Sequence, residues 1–450
     1  MTTASDVTVK KSILDKFLGI FAEVHGGEGA LSLLMTFNIF LILTAYYIAK
    51  VVREPLILAG GGAEVKAYSA ALQAVVLIGA VNLYAFMVAR FDRRKLLNTV
   101  VLFFTACFVG FYFLGIADTR YLGVIYFVWV GVFSLTVIAQ FWSFANDIYT
   151  PAEGKRLFAI IAFGGSAGAV LGAKFAEVLI DVIGIYELLL VSAGLLLASL
   201  LITNFVESKK RNRPLHDASG TAPTVAEPAM SKEGAFKVVF RHRYLLLIAI
   251  MILLTNWVNT TGEYILGNVV SKAAQVSVSG ISDVEAAKQA EKVFIGKFYG
   301  DFFFYVNLLG FLLQLFVVSR IVKYLGMRVA IMALPVIAFG GYALIAFTPL
   351  LSLIRIAKTA ENATDYSLNN TARQMLFLPT TREQKYKAKV AIDSFFVRAG
   401  DVLSAILIYA GIHWLAFSVT QFALVNLVLV AAWLVTAFLV ARENKQMVQA

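Results

Sequence analysis

The sequence predicts an all-α membrane protein with twelve transmembrane helices in two pseudo-symmetric bundles of six. Of its 450 residues, 60% are apolar and only 15% are charged, whereas soluble proteins are about 45–50% apolar and about 25% charged. A spanning helix needs about 20 apolar residues, so twelve of them would use about 240 residues. This composition excludes a soluble globular domain, a disordered chain and a disulfide scaffold. The single cysteine, Cys107, cannot form an internal bridge.

Apolar runs bounded by polar residues define the spans and the connections between them. The predicted spans are 31–58, 67–89, 96–116, 121–146, 157–180, 183–206, 244–269, 298–319, 328–347, 348–372, 386–411 and 417–440. Residues 1–30 are polar to amphipathic and predict a cytoplasmic N-terminal segment. Residues 207–243 are charged and contain three prolines, which predicts a cytoplasmic linker between an N-terminal bundle, 31–206, and a C-terminal bundle, 244–450. The connection 270–297 is expected to carry a short surface helix.

The distribution of positive charge predicts the orientation. With the N-terminus inside, the lysines and arginines in external loops are Lys66, Arg120, Lys272, Lys288, Lys292 and Lys297. Most of the others fall in cytoplasmic segments, which is the positive-inside pattern. The sequence therefore predicts a multi-pass protein of the cytoplasmic (inner) membrane with both termini in the cytoplasm. The net charge of +11 is attributed to topology rather than to a nucleic-acid partner.

The two halves of the chain contain similar motifs. The run Phe86–Arg90 ends span two, and the comparable run Phe316–Arg320 ends span eight. Two parallel six-helix halves are the architecture of the major facilitator type, in which the substrate site lies between the halves near mid-membrane. In span five, Gly164, Gly168 and Gly172 recur every four residues. That spacing predicts a face for close helix packing rather than a phosphate-binding loop.

Charged residues inside the first span are candidate ligands. Tyr46, Lys50 and Arg53 share one helical face, next to Tyr47 and Glu54. Cations beside aromatic rings suit a ligand with phosphates and a flat base. For Lys50, an ion pair with an acid on a neighbouring helix is an equally weighted alternative. Glu54 is expected to be the partner of Arg53.

Span ten carries a polar stripe that cannot face lipid. The stripe consists of Arg355, Lys358, Glu361, Asn362, Asp365 and Asn369. It is expected either to line the cavity or to form a buried structural network.

Further charged residues occur in spans eleven, four and seven. Lys389 is a candidate ligand, and Asp393, Arg398 and Asp401 are candidate pairing residues in the same span. Asp147 ends span four and Glu263 lies late in span seven; such acids hold cations or exchange protons. The four histidines are dispersed, so neither a metal site nor a catalytic site is predicted, and no cofactor is expected.

Three stretches carry a resemblance to a known family. They are Phe141–Asp147 with Glu153–Phe158, then Asp365–Asn369 with Leu376–Pro379 and Lys385–Asp393, and more weakly Arg53–Leu58. These motifs resemble the nucleotide transporter family, the ATP/ADP translocases of plastids and obligate intracellular bacteria. In that family, charged residues in spans one, four, seven and eleven are implicated in nucleotide exchange. The resemblance therefore points to Arg53, Asp147, Glu263 and Lys389.

The resemblance implies a non-enzymatic, alternating-access transporter that exchanges ATP for ADP or a close relative and works as a monomer in the lipid bilayer. Phosphates would be neutralised by Lys50, Arg53, Arg355, Lys358 and Lys389. Tyr46 or Tyr47 would stack the base, and Asp147 and Glu263 would hold the cations of the empty site. Two alternatives remain: a proton-coupled carrier of another anionic metabolite, and a non-transporting membrane module that docks a partner through 207–243 or the termini.

Overall fold

The computed structural model describes residues 11–19, 23–211, 234–381 and 384–449, and within these ranges every regular element is a helix. The α-helices are α1 Ile13–Leu18, α2 Gly29–Arg90, α3 Arg93–Ile116, α4 Leu122–Ile148, α5 Pro151–Ile183, α6 Glu187–Arg211, α7 Ala235–Arg241, α8 Arg243–Val278, α9 Val284–Phe316, α10 Val318–Arg320, α11 Gly326–Phe347, α12 Leu351–Thr364, α13 Asn370–Met375, α14 Lys389–Ala391, α15 Val397–His413 and α16 Val419–Gln449. Four π-helical segments interrupt or join them: π1 Ile321–Leu325, π2 Asp365–Asn369, π3 Gln384–Ala388 and π4 Ile392–Phe396. The predicted all-α fold class is confirmed.

In the described part of the chain, ten helices are long and apolar enough to cross a membrane, against twelve predicted spans. The first two predicted spans lie in the single helix α2, which is broken at Gly62, where φ is +73°. A left-handed φ suits glycine because no Cβ opposes it. The tenth predicted span corresponds to α12, π2 and α13, which are helical but too polar to be among these ten membrane-crossing helices. The number twelve therefore stays a prediction.

The predicted surface helix within 270–297 is wrong. Helix α8 continues to Val278 and α9 begins at Val284, so the loop between them is short. The carboxylate of Asp283 caps α9 by accepting a hydrogen bond from the backbone N–H of Glu285 at 2.9 Å. The last turns of α8 and the first turns of α9 each contain buried residues, such as Ala274 in α8 and Lys292 in α9. Hydropathy underestimated both helices because their ends are amphipathic.

The helices form two compact units. Unit 1 consists of the described residues of Met1–Arg53, Leu77–Leu122 and Trp129–Gly220. Unit 2 consists of those of Glu54–Val76, Gly123–Val128 and Thr221–Ala450. The predicted boundary between bundles 31–206 and 244–450 stays a prediction, and most of the predicted linker, 212–233, lies outside the described residues.

Unit 1 contains closely packed helices joined by neutral hydrogen bonds. A Cβ at Gly168 would lie 2.4 Å from the carbonyl oxygen of Phe40, and one at Gly164 would lie 2.3 Å from that of Thr36. The packing role predicted for the glycine stripe is confirmed. Asn38 joins α2 to α6, because its side chain accepts a hydrogen bond from Ser199 Oγ at 2.5 Å.

The start of α5 shows how local sequence fixes a helix end. Thr150 and Glu153 form a capping box, with Pro151 in the first turn. One turn later, Arg156 donates from both terminal nitrogens to the carboxylate of Glu28, at 2.8 and 2.9 Å. These hydrogen bonds lower the pKa of Glu28 below its usual value, although partial burial opposes the shift. The segment before α2 is thereby tied to α5.

In unit 2, the part of α2 from Glu54 to Val76 packs against C-terminal helices. Gly267 of α8 permits this approach, because a Cβ there would lie 3.3 Å from both Ala63 and Leu58. Deeper in the unit, the Tyr342 hydroxyl and the Asn426 side-chain amide both donate to the carbonyl oxygen of Val258, at 3.3 and 3.2 Å. Polar groups from three helices therefore meet inside unit 2, where the site lies.

Candidate functional site

Five charged side chains meet in the interior of unit 2. They are Glu54, Lys66, Glu263, Lys358 and Glu361, which we call the buried cluster. All but Glu263 are less than 10% exposed, and the Glu263 side chain is 24% exposed. Because buried charge is costly unless it is paired, the cluster depends on its ion pairs and hydrogen bonds.

Lys358 lies at the centre of the buried cluster with 1% of its side chain exposed. Its Nζ lies 3.0 Å from Glu361 Oε1 and 3.8 Å from Glu263 Oε1, and it donates to Asn259 Oδ1 at 3.0 Å. Asn362 donates to the same Glu263 oxygen at 3.1 Å. The prediction that the span-ten stripe faces protein is confirmed for these residues. Lys358 is placed among carboxylates inside the unit rather than on an open surface.

Lys66, which the sequence predicts in an external loop, lies instead in the interior of unit 2. It is 6% exposed and lies within α2. Its Nζ lies 2.7 Å from Glu54, 3.6 Å from Glu263 and 4.9 Å from the centre of the Tyr299 ring. Hydropathy missed it because Gly60, Gly61 and Gly62 look like a turn, whereas the helix resumes directly after Gly62. Lys66 thus links α2 to α8.

Other residues of the predicted stripe have separate partners. Arg355 pairs with Asp301 of α9, and its guanidinium lies 5.6 Å from the centre of the Tyr305 ring. Asp365 accepts a hydrogen bond from Asn369 at 2.7 Å within π2. The side chains of the stripe therefore contact at least two separate groups of residues.

A second charged site lies between α13, α14 and π4. Arg373 donates to Asp393 Oδ1 at 2.6 Å, and Lys389 Nζ lies 3.2 Å from Asp393 Oδ2. An adjoining pocket of about 660 Å³ is lined by Gln374, Phe377, Leu378, Lys389, Val390, Asp393 and Ser394. The sequence predicted Lys389 and Asp393, but the pairing with Arg373 depends on the fold. We call this the α13–α14 pocket.

The other two candidate pairing residues of span eleven, Arg398 and Asp401, lie further along the chain in α15. Arg398 Nη1 lies 3.2 Å from Asp401 Oδ2. Asp401 Oδ1 accepts hydrogen bonds from Asn256 and Thr260 of α8, each at 2.8 Å. Arg398 and Asp401, both candidate pairing residues, are therefore in contact with each other, and the hydrogen bonds of Asp401 join α15 to α8.

The other predicted ligands belong to unit 1. Lys50 is 8% exposed, and its Nζ lies 5.3 Å from the centre of the Tyr47 ring. Tyr46 packs edge-on against Tyr47 at 5.1 Å. Arg53 is half-buried and Asp147 is exposed at the end of α4. Lys50 therefore lies beside an aromatic ring, while the roles of these residues as ligands and the pairing of Arg53 with Glu54 stay predictions.

Within the described ranges, no group of three or more histidine, cysteine, aspartate or glutamate side chains could hold a metal ion. The chemistry available in unit 2 is ionic: lysines and arginines that can exchange one oxyanion partner for another. That chemistry suits recognition of an anion.

Together, the membrane-spanning helices and their buried ion pairs define a polytopic helical membrane protein of the carrier class. The Major Facilitator Superfamily matches residues 29–360. The chain belongs to that superfamily. A second family, described as TLC ATP/ADP transporter, matches residues 337–444. Both families consist of transporters, so the prediction of a carrier rather than an enzyme is confirmed.

Curated relatives carry names that fit the resemblance in the motifs. ADP,ATP carrier protein 1 of Chlamydia pneumoniae is 24% identical over 68% of this chain and 64% of its own length. ADP,ATP carrier protein 5 of Rickettsia felis is 22% identical over 87% of this chain and 89% of its own length. The chain thus spans slightly less than two thirds of the chlamydial relative.

Solved structures share the fold at low sequence identity. The nucleoside transporter NupG superposes with a TM-score of 0.62 at 13% identity, covering 93% of this chain and 99% of NupG. A bacterial homologue of the human lysosomal transporter Spinster, in an inward-facing and unoccupied conformation, gives 0.58 at 15% identity, covering 93% and 98%. These similarities confirm the major-facilitator-like fold.

Proposed function

We propose that this protein exchanges nucleotides of the ATP/ADP type by alternating access. It does so as a monomer in the cytoplasmic membrane, with both termini in the cytoplasm. The names of its chlamydial and rickettsial relatives and the match to the TLC ATP/ADP transporter family support this proposal. The residue roles follow the sequence prediction, with cations binding phosphates and aromatic rings binding the base.

The observation that carries the proposal is the pairing of cations with carboxylates in unit 2. The pairs are Lys66–Glu54, Lys358–Glu361, Arg355–Asp301, Lys389–Asp393 and Arg398–Asp401. Cations in a membrane-spanning region need such partners. An anionic substrate can replace the carboxylate as partner and so lower the free energy of breaking the pair. Movement in each direction then depends on bound substrate, which is exchange.

The test is uptake of radiolabelled ATP into proteoliposomes loaded with ADP. Uptake should require internal nucleotide, and Lys389→Ala and Arg53→Ala should each lower it strongly. Lys209→Ala is the matched control, since Lys209 is an exposed cation on α6 that lies over the Phe205 ring. Uptake that is unchanged in both variants, or absent from the unaltered protein, would contradict the proposal.

A second candidate is a proton-coupled carrier of another anionic metabolite. It is favoured by the pairing of Lys358 with two carboxylates: its Nζ lies 3.0 Å from Glu361 Oε1 and 3.8 Å from Glu263 Oε1. Two carboxylates on one lysine provide a place where a proton can bind and leave. Uptake driven by a pH gradient into vesicles without internal nucleotide would favour this candidate over exchange.

A further inference from the structure

Asp393, which lines the α13–α14 pocket together with Lys389, holds two cations: Lys389 itself and Arg373, which lies next to the lining residue Gln374 in the chain. Arg373 donates to Asp393 Oδ1 from Nη2 at 2.6 Å and from Nε at 3.2 Å. Lys389 approaches the other oxygen, Oδ2, at 3.2 Å. Both oxygens of Asp393 are therefore in use, one with the arginine and one with the lysine.

The same geometry suits a phosphoryl group. Arginine and lysine donate charge-assisted hydrogen bonds to phosphate oxygens as they do to carboxylate oxygens, and the fork of arginine favours two of them. The three side chains are 27–31% exposed, so an incoming anion can reach them. In this respect the pocket differs from the buried cluster, where Lys358 is 1% exposed.

The walls next to the cations accept an organic group. Phe377, Leu378 and Val390 supply apolar surface, and the Lys389 ammonium lies 5.8 Å from the centre of the Phe377 ring. The volume of about 660 Å³ falls within the range of about 300–1,000 Å³ typical of small-molecule sites. A pocket with cations at one side and an aromatic ring beside them fits a phosphorylated organic anion.

We propose that the α13–α14 pocket binds a phosphoryl group between Arg373 and Lys389, and that Asp393 is a built-in competitor that occupies both cations when no ligand is bound. The inference rests on the proposed function for the choice of a nucleotide as ligand. It adds Arg373 as a phosphate ligand. Because Asp393 competes with the ligand, removing its charge should strengthen binding, whereas removing the charge of Arg373 or Lys389 should weaken it.

These opposite effects on ligand affinity supply the test. In purified protein, Asp393→Asn should bind ATP and tripolyphosphate more tightly, by roughly tenfold if Asp393 occupies the cations about 90% of the time. Arg373→Gln and Lys389→Gln should each weaken binding by about 10–100-fold, the range expected for a hydrogen bond to a charged group. A purely structural triad would instead show weaker or unchanged binding in all three variants, and that result would overturn the inference.

A labelling experiment tests the pocket without altering the triad. Ser394 of π4 lines the pocket and is exposed, and its hydroxyl donates to the carbonyl oxygen of Val390 in α14 at 2.6 Å. In a Cys107→Ser background, a cysteine introduced by Ser394→Cys should be protected from a thiol reagent by tripolyphosphate. A cysteine introduced by Ser208→Cys, at an exposed position of α6, should not be protected. Equal labelling of Ser394→Cys with and without the anion would overturn the inference.

Failure of this inference can be told from failure of the proposed function. If the unaltered protein exchanges ATP for ADP but Asp393→Asn does not bind more tightly, the inference is wrong and the function stands. If ATP is neither bound nor exchanged while tripolyphosphate binds more tightly to Asp393→Asn, the phosphoryl site stands and the nucleotide assignment is wrong.

Discussion

The buried cluster and the α13–α14 pocket are both built from cations paired with carboxylates, but their surroundings differ. In the first, Lys358 is 1% exposed and its partner Glu361 7% exposed. In the second, Arg373 is 27% exposed and Asp393 28% exposed. A charge left without its partner in the first region has no water to replace it, whereas in the second region water or a ligand can. Burial therefore raises the free-energy cost of separating a pair in the first region, whereas exposure lowers the cost of exchanging one partner for another in the second.

The largest effect should come from Lys358→Met, which leaves Glu361 and Glu263 without their shared cation. Breaking a buried pair on one side costs about 3–5 kcal/mol of unfolding free energy. Denaturant unfolding of the purified protein measures the loss. Adding Glu361→Gln to Lys358→Met should recover part of it, because the stranded charge is then removed. A double variant as unstable as the single one would contradict this account of the cluster.

Arg156 and Glu28 form a pair of intermediate exposure in unit 1, with side chains 17% and 16% exposed. Because the pKa of Glu28 is lowered in the folded state, the pair stabilises the protein above the unfolded pKa, and this stability is lost as the pH falls through the folded pKa. We expect a contribution of about 1 kcal/mol. Unfolding free energies at pH 6 and pH 3 should differ more in the unaltered protein than in Arg156→Gln. Equal differences in the two proteins would show that the Arg156–Glu28 pair does not contribute to the pH dependence of stability.

The smallest effect on stability should come from Arg373→Gln in the exposed pocket. Pairs of this exposure contribute about 0.2–1 kcal/mol, so unfolding should shift by less than about 1 kcal/mol while anion binding weakens. Lys95→Ala is the matched control, since Lys95 forms an exposed pair with Asp92 at 3.5 Å. It should change neither stability nor binding. A loss of stability in Arg373→Gln as large as that in Lys358→Met would show that exposure does not distinguish the two regions.

Much of this arrangement could be predicted because lipid constrains the sequence strongly. A polar stripe in α12 cannot face hydrocarbon, so the burial of Lys358, Glu361 and Asn362 follows from their spacing. The glycines of α5 predicted close packing for a similar reason. The spacing of Lys389 and Asp393 at i, i+4 placed them on one helix face, where they pair.

The errors arose where helices were longer or less apolar than expected. Lys66 was assigned to a loop because glycines precede it, and the ends of α8 and α9 were taken for a connection because they are amphipathic. The pairing of Arg373 with Asp393 does not follow from the sequence, because the two residues lie twenty positions apart across a turn that the sequence does not specify.

By itself, the sequence determined the membrane class, the all-α fold and the shared face of the charges in α12, because these depend on local hydropathy and helical periodicity. Only the tertiary structure decided which charges meet. Lys66 reaches Glu263, and Arg373 reaches Asp393, through the packing of separate helices. The burial that distinguishes the cluster from the pocket has the same origin, because water is excluded by neighbouring helices and not by the residues that carry the charge.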